Sequence, residues 1–216
     1  MTTKHPRKKT SQPSPDFLAH HASELLELGV DFGMRRIYLV GEINTQTFSR
    51  FMVNFHTMEL TKGPFQIVLN SNGGEEGAGN AIFDLIRSAQ NDICILGIGN
   101  VASIAALILQ AAPHRLLTPE CRFMIHNGSV DLDEKMHSAA LSTLSREMEA
   151  DNARYHRTLS ERSGLAIATI KEYCERETAF DADTTVTLGF ADGVALYNGE
   201  ILSREDLDPR HANKKD

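Results

Sequence analysis

The stretch Phe65-Gln66-Ile67-Val68-Leu69-Asn70-Ser71-Asn72-Gly73-Gly74 decides how this chain is read. Five mostly apolar residues run without alternation, as in a strand buried on both faces, and end in a turn closed by paired glycines. The pattern continues through a glycine-rich segment to Gly79 and a helix over 81–88. A second copy follows: a buried strand over 93–98, a turn at Gly99-Asn100, and an apolar helix from Ser103 to Ala112. Upstream, Arg36 to Val40 reads as a strand closed by Gly41. Asn44 caps a helix carrying Phe48, Phe51, Met52 and Phe55, stopped at Gly63-Pro64. Continuous apolar strands separated by helices predict an α/β fold with a mostly parallel sheet covered on both faces.

Outward from this centre, Phe17, Leu18, Leu25 and Leu28 lie near helical spacing behind Ser14-Pro15, with Gly29 as the stop. Two short strands are expected over 114–117 and 122–125. From Asp133 to Arg162 there is neither glycine nor proline, and Met136, Ala140, Leu144 and Met148 recur every fourth residue. This predicts one long helix of roughly 40 Å, longer than a core of this size needs and therefore projecting. A helix over 166–176, the segment 177–189 and a strand over 194–197 complete a single domain spanning 15–202. A basic tail over 1–14 and a charged tail over 203–216 flank it.

Composition narrows the function classes. The 216 residues are 41% hydrophobic and 24% charged, as in a globular protein rather than a disordered or collagen-like one. A net charge of −7 gives no general reason to bind nucleic acid. The longest apolar run, Ile104 to Ala112, is half of what a membrane span requires, so no membrane partner is expected. Cys94, Cys121 and Cys174 are widely spaced and form no metal-ligand pair, which fits a reducing cytoplasm.

Four segments carry residues able to do chemistry. The Asn70 to Gly74 turn lets backbone approach a ligand and aims N–H groups into the crevice at the sheet's carboxyl edge, although paired glycines also serve as a plain turn. In Gly99-Asn100-Val101-Ala102-Ser103-Ile104, a serine stands between a strand exit and a helix. There it can cap the helix, or expose its hydroxyl beside N–H groups that stabilise an oxyanion. His126 ends the apolar strand Phe123-Met124-Ile125, as a structural residue or as a base. Glu177, Asp181 and Asp183 offer three carboxylates, one of which could orient an imidazole.

In this order the four segments resemble the Clp protease proteolytic subunit (ClpP) family of serine peptidases. Asn70-Ser71-Asn72-Gly73-Gly74 is similar to its Asn-Ser-Pro-Gly-Gly turn, and Gly99-Asn100-Val101-Ala102-Ser103 to its Gly-Gln-Ala-Ala-Ser segment. Met124-Ile125-His126 is identical to its Met-Ile-His, and Gly189-Phe190-Ala191-Asp192 resembles its Gly-Leu-Val/Ile-Asp. The resemblance runs from Arg36 to Tyr197. It implies the ClpP/crotonase-like fold of repeated ββα units, with Ser103 as nucleophile and His126 as general base. The N–H groups of Gly74 and Ile104 become the oxyanion donors. Counting back from Gly189 without a gap puts the triad acid on Glu177, with Asp181 and Asp183 as rivals.

The resemblance further implies a stacked-ring homo-oligomer, a tetradecamer, in which the long helix interleaves between rings. It implies polypeptide substrates, a separate AAA+ unfoldase, and neither metal nor cofactor. Asn72 in place of the turn proline, Ile104 in place of methionine, and an unrelated segment before residue 36 mark the chain as divergent. Two other readings share the fold: a catalytically inactive structural subunit, and a crotonase-type acyl-CoA enzyme that would use the Gly74 turn without Ser103 and His126.

Overall fold

The computed structural model describes residues 22, 25, 27–129 and 137–207. In chain order they form β1 (Val30–Asp31), β2 (Arg36–Val40), α1 (Thr45–Glu59), β3 (Phe65–Ser71), α2 (Glu76–Arg87), β4 (Ile93–Ala102) and α3 (Ile104–Leu109). Then come β5 (His114–Leu117), β6 (Arg122–Ile125), α4 (Ser138–Ser163), α5 (Ile167–Glu175), β7 (Thr178–Phe180), α6 (Ala182–Thr187), β8 (Gly193–Ala195), β9 (Ile201–Ser203) and α7 (Arg204–Leu207). The basic tail over 1–14 and the expected helix start at 133–136 lie outside the described residues.

The sheet runs β1-β2-β3-β4-β5-β8-β9, with a parallel centre from β2 to β8 and antiparallel pairs at both edges. Asn44 caps α1 as expected, accepting from the Thr47 N–H. The apolar strands supply the core: Ile67, Leu69 and Ile95 are completely buried, as are Phe123 and Phe190, whose rings stack with centroids 5.1 Å apart.

Strand β4 differs from expectation. It does not turn at Gly99-Asn100 but continues to Ala102, exchanging one neighbour for another. Cys94 to Gly97 pair with β5, whereas Asn100 to Ala102 pair with β6. The register against β3 shifts between Leu69 and Ser71 at the same level. Gly99 takes φ +61°, and the Asn70 carboxamide accepts from the Asn100 N–H at 3.1 Å, replacing a ladder bond that the bulge removes. Helix α2 begins at Glu76 rather than 81, taking Gly77 and Gly79 into its first turns. A Cβ at Gly79 would lie 2.1 Å from Cγ1 of Ile104, so contact with α3 overrides glycine's poor helix propensity.

The long helix is present but starts at Ser138, behind His137 in an extended conformation, and ends where Gly164 adopts the left-handed region. Its C-terminal half is embedded through His156, Leu159 and Ser163, while residues 140–150 are exposed or half-buried. At the other end of the chain, secondary structure continues through β9 and α7 to Leu207, which packs on the core. Residues 203–207 of the expected charged tail thus carry the end of β9 and α7, and 208–216 lie outside the described residues.

Arg115 ties these parts together. Its buried guanidinium pairs with Asp192 at 2.5 Å and also donates to the Gln110 side chain and to the Gly189 and Phe190 carbonyls. This gives the Gly189 to Asp192 motif a structural task, joining β5 to the turn before β8. Asp192→Ala leaves a buried cation without its counter-charge. It is expected to lower unfolding free energy by about 2–3 kcal/mol, a figure reduced by Asp192's partial exposure, as measured by urea titration.

Candidate active site

Ser103 sits between the last residue of β4 and the first of α3, with φ +58° and ψ −127°. This is a strained conformation for a residue with a side chain. Its N–H donates to the Met124 carbonyl at 3.0 Å, fixing it to β6. Ser103 makes no side-chain cap bond to α3, so the simple capping role is not the one it plays here.

Against it lies the glycine turn. Gly73 at φ +104° approaches so closely that a Cβ would fall 2.6 Å from Cβ of Ser103. Gly74 at φ +147° has no room either, because a Cβ there would meet the Ile43 carbonyl oxygen at 2.1 Å. Ile43 clasps the turn from both sides, donating to the Gly73 carbonyl at 2.9 Å and accepting from the Glu75 N–H at 2.7 Å. The Ser71 hydroxyl accepts from the Gly73 N–H at 3.0 Å. Among the described residues, the N–H groups of Gly74 and Ile104 have no protein acceptor.

Ser103, Ile104 and His126 line one cavity of about 30 Å³. The structure thus brings together two sequence-distant residues singled out by motif, each at the carboxyl end of a neighbouring strand. Helix α4 forms another wall. Asn152 accepts from the Gly128 N–H at 2.9 Å, and His156 Nε2 donates to the Asn127 side-chain oxygen at 2.8 Å. Both contacts hold the two residues that follow His126. Burial, reinforced by Lys171, keeps the His156 pKa below the ordinary histidine value. Tyr155 donates to the Ser103 carbonyl at 3.1 Å.

The three acid candidates separate by position. Strands β6 and β7 are antiparallel, with Ile125 opposite Thr178 and Phe123 opposite Phe180. The next residues, His126 and Glu177, leave the pair at the same end, whereas Asp181 and Asp183 lie beyond the other. Glu177 is exposed and held at φ +49° by the tight turn out of α5. Asp181 caps α6, accepting from the Thr184 N–H at 2.8 Å, and those hydrogen bonds hold its carboxyl below the usual range. Asp183 lies exposed in the first turn of α6. Among the described residues, no hydrogen bond joins the Ser103 hydroxyl, the His126 ring and the Glu177 carboxylate.

A family model described as Clp protease matches residues 28–198. The chain belongs to the Clp protease family. Among curated relatives, an ATP-dependent Clp protease proteolytic subunit 2 from Treponema denticola is 28% identical over 172 residues, covering 77% of this chain and 84% of that protein. The subunit 2 from Chlamydia pneumoniae is 31% identical over 169 residues, covering 74% of this chain and 80% of that one. A solved ClpP1 variant from Listeria monocytogenes superimposes with a TM-score of 0.70 at 23% identity, over 82% of this chain and 96% of that one, which speaks to fold alone. The expected ClpP fold is therefore shown, and the chain is a divergent member of the ClpP family. No helix among the described residues is long and apolar enough to cross a membrane.

Some residues of this candidate site escaped the motif reading. Glu76, Asp151 and Arg154 also line the cavity, with Asp151 and Arg154 paired at 2.5 Å. Enclosure and the Asp151 carboxylate raise the Glu76 pKa, while Arg154 and His126 pull it down. On α4 the only sequence signal is spacing: 151, 152, 155 and 156 fall on one helical face.

Two outcomes test this geometry. Gly74→Ala must break the Ile43 clasp and strain its own backbone, costing about 2 kcal/mol or more in a thermal or urea melt. Asp181→Ala removes a helix cap and costs about 1 kcal/mol at neutral pH. Because that carboxyl's folded-state pKa is depressed, its contribution is present above the unfolded value and fades as pH falls through the folded one. The difference between variant and parent should therefore shrink in acid.

Proposed function

We propose that the chain is a serine endopeptidase in which His126 takes the proton of Ser103 as its hydroxyl attacks a peptide carbonyl. The acyl-enzyme formed is then hydrolysed by water, activated by the same ring. The oxyanion is met by the Gly74 and Ile104 N–H groups, which point at no protein acceptor among the described residues. Glu177 orients the imidazole. It leaves the β6–β7 pair at the His126 end, and a glutamate can do this work as an aspartate does. The single observation that carries the reading is the convergence of Ser103, held in a strained turn against Gly73, with His126 in one cavity.

The finer parts of the reading rest on family membership and on shape. Substrates are unfolded polypeptides. Chains assemble as stacked rings, a tetradecamer, through the exposed half of α4, where Leu141, Leu144 and Met148 border a hollow of about 340 Å³. A separate AAA+ unfoldase supplies ATP-driven threading, in the cytoplasm. The peptidase itself works with side chains and backbone N–H groups.

A fluorophosphonate probe tests the chemistry. Intact-mass and peptide mapping are expected to find one adduct, on Ser103. Ser103→Ala should abolish labelling and reduce peptide hydrolysis by about 10⁴-fold or more, and Glu177→Gln should reduce it by about 10²–10⁴-fold. Asp181→Ala should leave turnover intact. An assembled protein whose Ser103 never reacts would instead be a structural subunit, and Ser103→Ala with full thioester activity would make it an acyl-CoA enzyme.

A further inference from the structure

The peptide unit between Ser103 and Ile104 carries both the Ser103 carbonyl and the Ile104 N–H. In a planar trans peptide these two point in opposite directions, so whatever grips the carbonyl also aims the N–H. Ser103 adopts φ +58°, ψ −127°, a conformation that persists only where surrounding contacts over-determine it. Among the described residues the carbonyl has two donors: the Ala106 N–H at 2.9 Å, from the first turn of the short helix α3, and the Tyr155 hydroxyl at 3.1 Å, from α4. Burial pushes the Tyr155 phenol well above its ordinary pKa, so it stays a donor wherever the protein is folded.

We propose that Tyr155 is a positioning residue of the oxyanion site: its hydroxyl, by holding the Ser103 carbonyl, locks the Ser103–Ile104 peptide so that the Ile104 N–H faces the reacting carbonyl. The inference rests on the serine-peptidase reading above and extends it. Tyr155 does not touch the reacting atoms through this bond; it acts through the backbone. Without it, the peptide is restrained by Ala106 alone, and a rotation of that plane withdraws the N–H on which transition-state charge depends. Ground-state binding, which does not use the oxyanion donors, is unaffected. The same phenol places the long helix in contact with the nucleophile's own peptide, beside the Asn152 and His156 contacts to the segment after His126.

The test uses the full-length protein and Tyr155→Phe, with a fluorogenic peptide amide and a peptide boronic acid whose tetrahedral adduct needs the oxyanion donors. The expected result is a fall of about tenfold in kcat and in boronate affinity, a smaller effect than deleting a donor outright, with KM unchanged. Replacing Tyr155 with 4-aminophenylalanine, which retains a donor at the ring's end, should restore both. Equal kcat and boronate affinity in Tyr155→Phe would overturn the proposal, as would a raised KM with kcat intact, which marks a pocket wall. If Tyr155→Phe does not fold, the 4-aminophenylalanine protein decides by comparison with 4-methylphenylalanine, which has the same reach and no donor. Equal rates in those two overturn the proposal. A wild-type Ser103 inert to the fluorophosphonate would overturn the peptidase reading and this proposal together. A reactive wild type matched by an equally reactive Tyr155→Phe would overturn this proposal alone.

Discussion

The closeness of Gly73 to Ser103 is the constraint on which the site depends. Two turns at the carboxyl edge of a parallel sheet meet with no room for one methyl group between them. Such contact is possible only because the turn after β3 contains two glycines with positive φ and is clasped by Ile43 on its far side. The serine in turn is held off the usual backbone regions by its bond to β6 and by the helix that begins immediately after it. Strain at Ser103 is therefore sustained by the sheet on one side and by helix packing on the other, as is common where backbone geometry serves chemistry.

Helix α4 divides its length between two tasks. Its embedded half contacts the Ser103 carbonyl and the two residues following His126. Its other half reaches out with an apolar stripe on an exposed surface. One rigid element thus links a candidate assembly surface to both strand ends of the candidate site.

Charge is distributed with similar economy. Arg115 is buried against the Asp192 carboxylate and the Gly189 and Phe190 carbonyls and fastens the turn before β8, so the Gly189 to Asp192 segment is structural. Around the cavity, Glu76 faces Asp151 and Arg154, a more polar lining than the apolar helix α3 beneath it would supply. Of the acids after α5, Asp181 is occupied as a cap, which leaves Glu177 as the carboxylate placed at the His126 end.

The sequence by itself determined the central strands and helices from Arg36 to Ile125, the parallel centre of the sheet, the Asn70 to Gly74 turn, and Ser103 and His126 as candidates, while Gly74 and Ile104 as donors came from the family resemblance. Those features are local: apolar runs, glycine pairs and a serine at a strand exit show in a few consecutive residues. Tertiary structure decided the rest. Gly99 reads as a turn, yet β4 passes through it, because a second neighbour, β6, and the Asn70 side chain satisfy the continued backbone. Gly77 and Gly79 read as loop, yet they are helical, because α3 demands a close approach. Three acids could not be ranked by spacing; the β6–β7 register separates them. Helical spacing places Tyr155 on the embedded face of the long helix but says nothing of its partner, a carbonyl 52 positions away that only the folded chain brings within reach.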